Sequence, residues 1–175
     1  NNWGTQTSTD DSEGFVTHKS KILPKLEDIE KKIKKLSGYI DQVPPKVSAV
    51  KINGQRAYML SKKNINFSIT PRKVFVKNVK IINHQFSKTS FKLECGKGFY
   101  IRSFARDLGE KLATKAHISY LKRLKVGKFE AKNANLLDDL LNIRQRLFEF
   151  KGFHSSSSML DDILAYEVDD EKDIT

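Results

Sequence analysis

Cysteine is nearly absent from this chain: Cys95 is the single one in 175 residues. No internal disulfide can form, and a reducing compartment is indicated. One cysteine also cannot complete a structural zinc site, and His18, His84, His117 and His154 lack metal-ligand spacing, so no metal is expected. No apolar run approaches the length of a membrane span, and no secretory leader pattern is visible. A cytoplasmic location away from membranes is expected. No internal repeat is visible.

Acidic residues are in short supply as well, 21 against 32 Lys and Arg, for a formal net charge of +11. Seven of the acids fall between Met159 and Thr175, leaving residues 1–158 with 31 bases and 14 acids, a net +17. A body this basic favours a polyanionic partner, nucleic acid first. A basic protein-interaction domain is the rival reading from charge alone.

The stretch with the most chemical content is Cys95-Gly96-Lys97-Gly98-Phe99-Tyr100-Ile101-Arg102-Ser103. Gly96 and Gly98 permit a sharp turn and close backbone approach to a partner, while Tyr100 and Arg102 offer a ring face and a fixed cation. The combination suits a nucleotide. Before it, Val74, Val76, Val79 and Ile81, then Phe91, Leu93 and Cys95, predict two long antiparallel strands, with Cys95 on the apolar face as a core residue rather than a nucleophile. After it, Ile101, Phe104, Ala105, Leu108 and Leu112 share one helical face, and Arg102 and Arg106 share another.

The rest is read more coarsely. Asn1 to Gly14 is polar and turn-rich, expected as a loop. Leu26, Ile29, Ile33 and Leu36 predict an amphipathic helix from Pro24 to Gly38, with Lys31, Lys32, Lys34 and Lys35 outside. Val43-Pro44-Pro45 must be extended. A short strand over Ser48–Ile52, a turn at Asn53-Gly54 and a short helix over Ala57–Lys63 follow. A later helix is predicted over Leu136–Phe148, and Ser155–Ser158 has linker composition. Strands with interposed helices and little βαβ alternation predict an α+β fold with a mixed or antiparallel sheet and flanking helices.

Several of these motifs, in order, resemble the TruB-type tRNA pseudouridine synthases. Gly4, Thr7, Thr9, Asp11 and Gly14 resemble that family's Thr-rich loop. Pro44-Pro45-Lys46-Val47-Ser48-Ala49-Val50-Lys51 resembles its Pro-Pro element, followed by Asn53-Gly54 and Arg56-Ala57-Tyr58. Val47 departs from it, because an aromatic is common there. Cys95 to Arg102, Asp107-Leu108-Gly109, and Ala116-His117 through Lys122-Arg123 complete the likeness, over roughly residues 3 to 140.

The resemblance implies a pseudouridine synthase catalytic fold, and an isomerase converting uridine to pseudouridine in the TΨC loop, position 55, of tRNA. The reaction breaks the bond from C1′ to N1, turns the base and joins C5 to C1′, with no net oxidation and no cofactor. The family's nucleophilic Asp precedes the Thr-rich loop, in a segment with no counterpart in these residues. The chain is therefore expected to be an internal piece, inactive alone: residues 1–154 as part of the catalytic domain, and 155–175 as a linker and the start of a PUA-type RNA-binding domain. Arg102 is implied as the cation that holds the nucleophile ionised, and Tyr100 as a wall of the base pocket. Lys51, Lys97, Gly98, Arg106, Lys122 and Arg123 are implied to approach the T arm of tRNA. No protein partner is implied, and a monomer is expected. Asp10, Asp11 and Glu13 sit awkwardly beside an RNA surface unless they cap backbone groups. The rival within nucleic-acid binding is a basic RNA-binding module without chemistry.

Overall fold

The computed structural model describes residues 1–136 and 138–142. They belong to two compact units, residues 1–122 and residues from 123 onward. The first contains strands β1 (Asn2–Trp3), β2 (Thr5–Thr7) and β3 (Val16–Lys19), helix α1 (Leu26–Ile33), and strands β4 (Gly38–Gln42), β5 (Lys51–Ile52) and β6 (Gln55–Arg56). Helix α2 (Ala57–Lys62), strands β7 (Arg72–Gln85) and β8 (Lys88–Cys95), helix α3 (Ile101–Lys111) and strand β9 (Ala116–His117) complete it.

A five-stranded sheet runs β4-β7-β8-β1-β9, and every pair in it is antiparallel. The α+β expectation holds, and the sheet is of the antiparallel kind. The predicted β7–β8 pair is its centre. Along β7 the inward residues are Val74, Val76, Val79, Ile81 and His84, a series with two steps of three. The pairing with β8 shifts at those two steps, between Val76 and Asn78 and between Ile81 and Asn83. Each irregularity inserts one residue and returns the apolar side chains to the same face.

That face is covered by α1 and α3. Ile29, Ile33 and Leu36 from the first helix region meet Trp3, Phe104, Leu108 and Ala116, with Phe91, Leu93 and Phe99 packed against them. Phe91 stands edge-on to both Trp3 and Phe104, at centroid distances of 6.5 and 5.6 Å. These spacings suit aromatic quadrupoles. Trp3 Nε1 donates to Thr89 Oγ1 at 2.7 Å, satisfying its one buried donor. Gly109 lets α3 lie against β9, since a Cβ there would stand 2.8 Å from the Ala116 amide nitrogen.

Four local expectations need correction. Residues 1–14 are not simply a loop, because β1 joins the central sheet and β2 pairs with β3 in a hairpin. All of β3 is exposed, so no alternation betrays it. The strand expected over Ser48–Ile52 shrinks to Lys51–Ile52. The carbonyls of Ser48, Ala49 and Val50 accept instead from Tyr58 N, Arg56 Nη1 and Ala57 N, so no ladder remains for them. Strand β4 begins at Gly38, where the sequence predicts only the end of a helix. Finally, Cys95, the last residue of β8, is exposed, so it is not a core residue.

In the second unit, β10 (Lys125–Val126) and β11 (Phe129–Glu130) form a hairpin, and residues 138–142 are helical. Leu137, residues 143–148 of the predicted helix, the Ser155–Ser158 linker and the acidic tail lie outside the described residues. Among the described residues no helix is long and apolar enough to cross a membrane. Gly109→Ala should destabilise the first unit by about 1–3 kcal/mol, through the clash with the Ala116 backbone, measured as a lower urea midpoint at unchanged slope.

Candidate functional site

Two loops converge on the first turns of α3. One is the Thr7–Asp11 turn after β2, and the other is the Val43–Val47 segment after β4, whose Pro44 and Pro45 are buried. The helix begins where it does because Gln42, only 2% exposed, grips the backbone of Tyr100. Its Oε1 accepts from Tyr100 N at 2.9 Å and its Nε2 donates to Tyr100 O at 3.2 Å. A side-chain amide can do both, whereas a carboxylate could not.

Arg102, in the first turn, ties the loops together. Nη1 donates to Thr9 O at 3.1 Å and to Asp11 Oδ2 at 3.2 Å, and Nη2 donates to Val47 O at 2.8 Å. Asp11 is itself oriented: its Oδ1 accepts from Thr9 Oγ1 and from Glu13 N. Three of the five guanidinium donors are thus used on the scaffold. Nε and the second Nη2 hydrogen have no partner among the described residues. The Arg102 side chain is 26% exposed, so it is anchored below yet reachable from outside.

One turn on, Arg106 donates to Asp10 Oδ2 through Nη1 at 2.9 Å, to Val43 O through Nη2 at 2.7 Å, and to Asp107 Oδ1 through Nε at 2.9 Å. Ser103 Oγ donates to the same Val43 carbonyl at 2.7 Å. Burial pushes the Asp10 carboxyl above its ordinary range, and the adjacent Arg106 charge opposes that shift without cancelling it. Burial raises Asp107 in the same way, against the same guanidinium.

The residues singled out from sequence therefore fall into distinct settings. Tyr100 and Arg102 stand together at the start of α3, Tyr100 half-buried. Lys97 and Gly98 are exposed in the turn just before them, Gly98 with φ +80°, a conformation that favours glycine. Lys51 and Lys122 are exposed elsewhere in the first unit, and Arg123 is exposed in the second. Arg106 is turned inward, 15% exposed.

Sequence reasoning missed the contacts made by four residues. The carbonyl of Val47 is a partner of Arg102, and a backbone atom serves whatever side chain stands there. Gln42 reads as a polar residue before a proline loop. Asp10 and Asp11 are expected to be awkward unless they cap backbone groups; Asp11 does accept from Glu13 N, and both acids are in addition ion-paired, to Arg106 and Arg102. The visible signal was the coincidence of two acids with two arginines four residues apart.

A family model described as TruB family pseudouridylate synthase (N terminal domain) matches residues 1–101. A second, tRNA pseudouridylate synthase B C-terminal domain, matches residues 102–166. A tRNA pseudouridine synthase B from Caulobacter vibrioides is 35% identical over 170 residues, 97% of this chain and 55% of the relative. One from Ehrlichia chaffeensis is 44% identical over 140 residues, 79% of this chain and 47% of the relative. The chain thus spans about half the length of the curated relatives it matches. Among solved structures, a chain of a Cbf5-Nop10-Gar1 complex superposes with a TM-score of 0.57 at 24% identity, covering 74% of this chain and 34% of that one. That likeness carries the fold alone. With two consecutive family models covering residues 1–166, and an antiparallel sheet and helices in the pseudouridine synthase arrangement, the chain belongs to the TruB family of pseudouridylate synthases.

Proposed function

We propose that this chain forms part of a cytoplasmic tRNA pseudouridine synthase acting on the T-loop uridine at position 55, with residues 1–154 in its catalytic domain. The observation that carries the reading is the Arg102 guanidinium, held by Thr9, Asp11 and Val47 and still offering two N–H donors. A planar fork so placed suits a second carboxylate, and binding one would keep it ionised and aimed at C1′. That carboxylate is the nucleophilic Asp, contributed by polypeptide outside these residues. Asp11 is engaged as the structural partner of Arg102 and does not take the nucleophile's place.

Uridine must leave its stacked loop to react, and the pocket must replace the lost stacking. Tyr100, half-buried and two residues before Arg102, is the ring that would meet the base, a contact worth about 1–3 kcal/mol. Lys51, Lys97, Lys122 and Arg123 meet phosphates, and Gly98 lets the turn approach the backbone. The rearrangement is redox-neutral and isomeric, so the carboxylate, the cation and a shaped pocket suffice without a cofactor.

In the full-length protein, Arg102→Ala should abolish nearly all pseudouridine formation on tRNA while tRNA affinity falls less than about tenfold; turnover at the normal rate would remove Arg102 from this role. Tyr100→Ala should slow turnover strongly, and a normal rate would mean that the ring only fills space. Affinity for tRNA should drop steeply between 50 and 200 mM salt, about ten-fold or more for a few phosphate contacts, in filter binding. Incubated alone with a T-arm hairpin, the 175-residue chain should form no pseudouridine; product formed by it would mean that the nucleophile lies within these residues.

A further inference from the structure

Arg106 has the wrong surroundings for a phosphate ligand. Its three nitrogens each donate to a protein oxygen at 2.7–2.9 Å, from Asp10, Val43 and Asp107, and its side chain is 15% exposed. Asp10, with a side chain 9% exposed, makes its one direct ion pair among the described residues with Arg106, while a Gln6 hydrogen bond and the more distant Arg102 charge favour its carboxylate less strongly. A phosphate that drew Arg106 away would strand a buried carboxylate.

The place of Asp10 in the chain gives the pair its significance. It lies between Thr9, whose carbonyl accepts from Arg102, and Asp11, whose carboxylate pairs with Arg102. Its backbone is in the left-handed region, φ +61°, where a non-glycine residue stays only if its surroundings hold it. Its carbonyl accepts from Ile118 N at 3.0 Å, and its side chain is held by Arg106. At the other loop, Arg106 and Ser103 fix Val43 while Arg102 fixes Val47, so both ends of the buried Pro44-Pro45 segment are tied to α3.

We infer that the Asp10–Arg106 ion pair is a positioning device for the reaction: it holds the Thr9–Asp11 turn and the Val43 end of the proline segment, so that Arg102 is presented in one orientation. Arg106 is then a positioning residue and makes no RNA contact. The inference rests on the reading of Arg102 given above. A loose guanidinium would misalign the carboxylate it receives, and small misplacements of reacting groups cost about 100-fold in rate.

The test uses the full-length protein with Asp10→Asn, Arg106→Gln, the double variant and Arg106→Lys, assayed by single-turnover pseudouridine formation on tRNA, tRNA affinity across a salt series, and thermal melting. Asp10→Asn and Arg106→Gln should each slow the chemical step by about 10- to 100-fold, with affinity within about twofold and an unchanged salt slope. The double variant should be no slower than the worse single one, because both remove the same pair. Arg106→Lys keeps the charge but loses the fork that grips two loops, so it should also be slow; this variant and Asp10→Asn carry the test if Arg106→Gln does not fold. A weaker affinity with a salt slope reduced by about one and an undiminished rate would make Arg106 a phosphate ligand and overturn the inference. Lower melting temperature with a normal rate would overturn it too, leaving a role in stability only. Full activity in Arg102→Ala would instead sink the underlying reading, whereas an inactive Arg102→Ala beside fully active Asp10→Asn would sink this inference alone.

Discussion

The guanidinium of Arg102 is where the separate parts of the first unit meet. It begins a helix, and it reaches a loop some 90 residues earlier and another some 55 residues earlier in the chain. Neither loop has regular structure to shape it. Both contribute backbone carbonyls, which must find donors when shielded from water, and an arginine is the side chain with enough donors in a fixed plane to satisfy several at once. Hydrogen bonds to a charged donor are worth about 1.5–3 kcal/mol each. Lysine in the same place would offer a mobile point charge and no plane, and the two loops would lose their common reference.

The core supports this arrangement from beneath. Phe104 and Leu108 lie on the opposite side of α3 from Arg102 and Arg106, packed on Phe91 and Trp3, so the helix cannot roll without opening the aromatic cluster. The two register shifts in β7 keep its apolar side chains facing that cluster along the strand's length. The same helix thereby divides its labour: its apolar stripe fixes where it sits, and its two arginines organise what lies above it.

How much of this was legible beforehand depended on whether the cause was local. The β7–β8 pair, α1, α2 and α3 announce themselves through periodic burial, and the Asn53-Gly54 turn through its own backbone preferences. Strand β2 is wholly polar, β3 is exposed, β9 has two residues, and β4 directs a glutamine inward, so none carries an apolar rhythm. For the site, residue types at the head of α3 were readable because Tyr100 and Arg102 lie in one short motif. The partners of Arg102 were not, because two of the three are main-chain oxygens and their identity is set by tertiary approach. Asp10 and Asp11 showed their sign but not their mates.

Gln42 has a consequence for how the molecule assembles. Its amide matches the donor and acceptor of Tyr100 only while β4 keeps its alignment on β7, with Gln42 opposite Arg72 and Ile40 opposite Val74. Sliding that edge by one position would turn Asp41 inward in its stead, and a carboxylate can accept from Tyr100 N but has nothing to donate to Tyr100 O. Mispaired intermediates are therefore penalised at the very spot where the helix must start. Zippering of the sheet edge and the start of the helix that carries Arg102 become a single event, proofread by one amide.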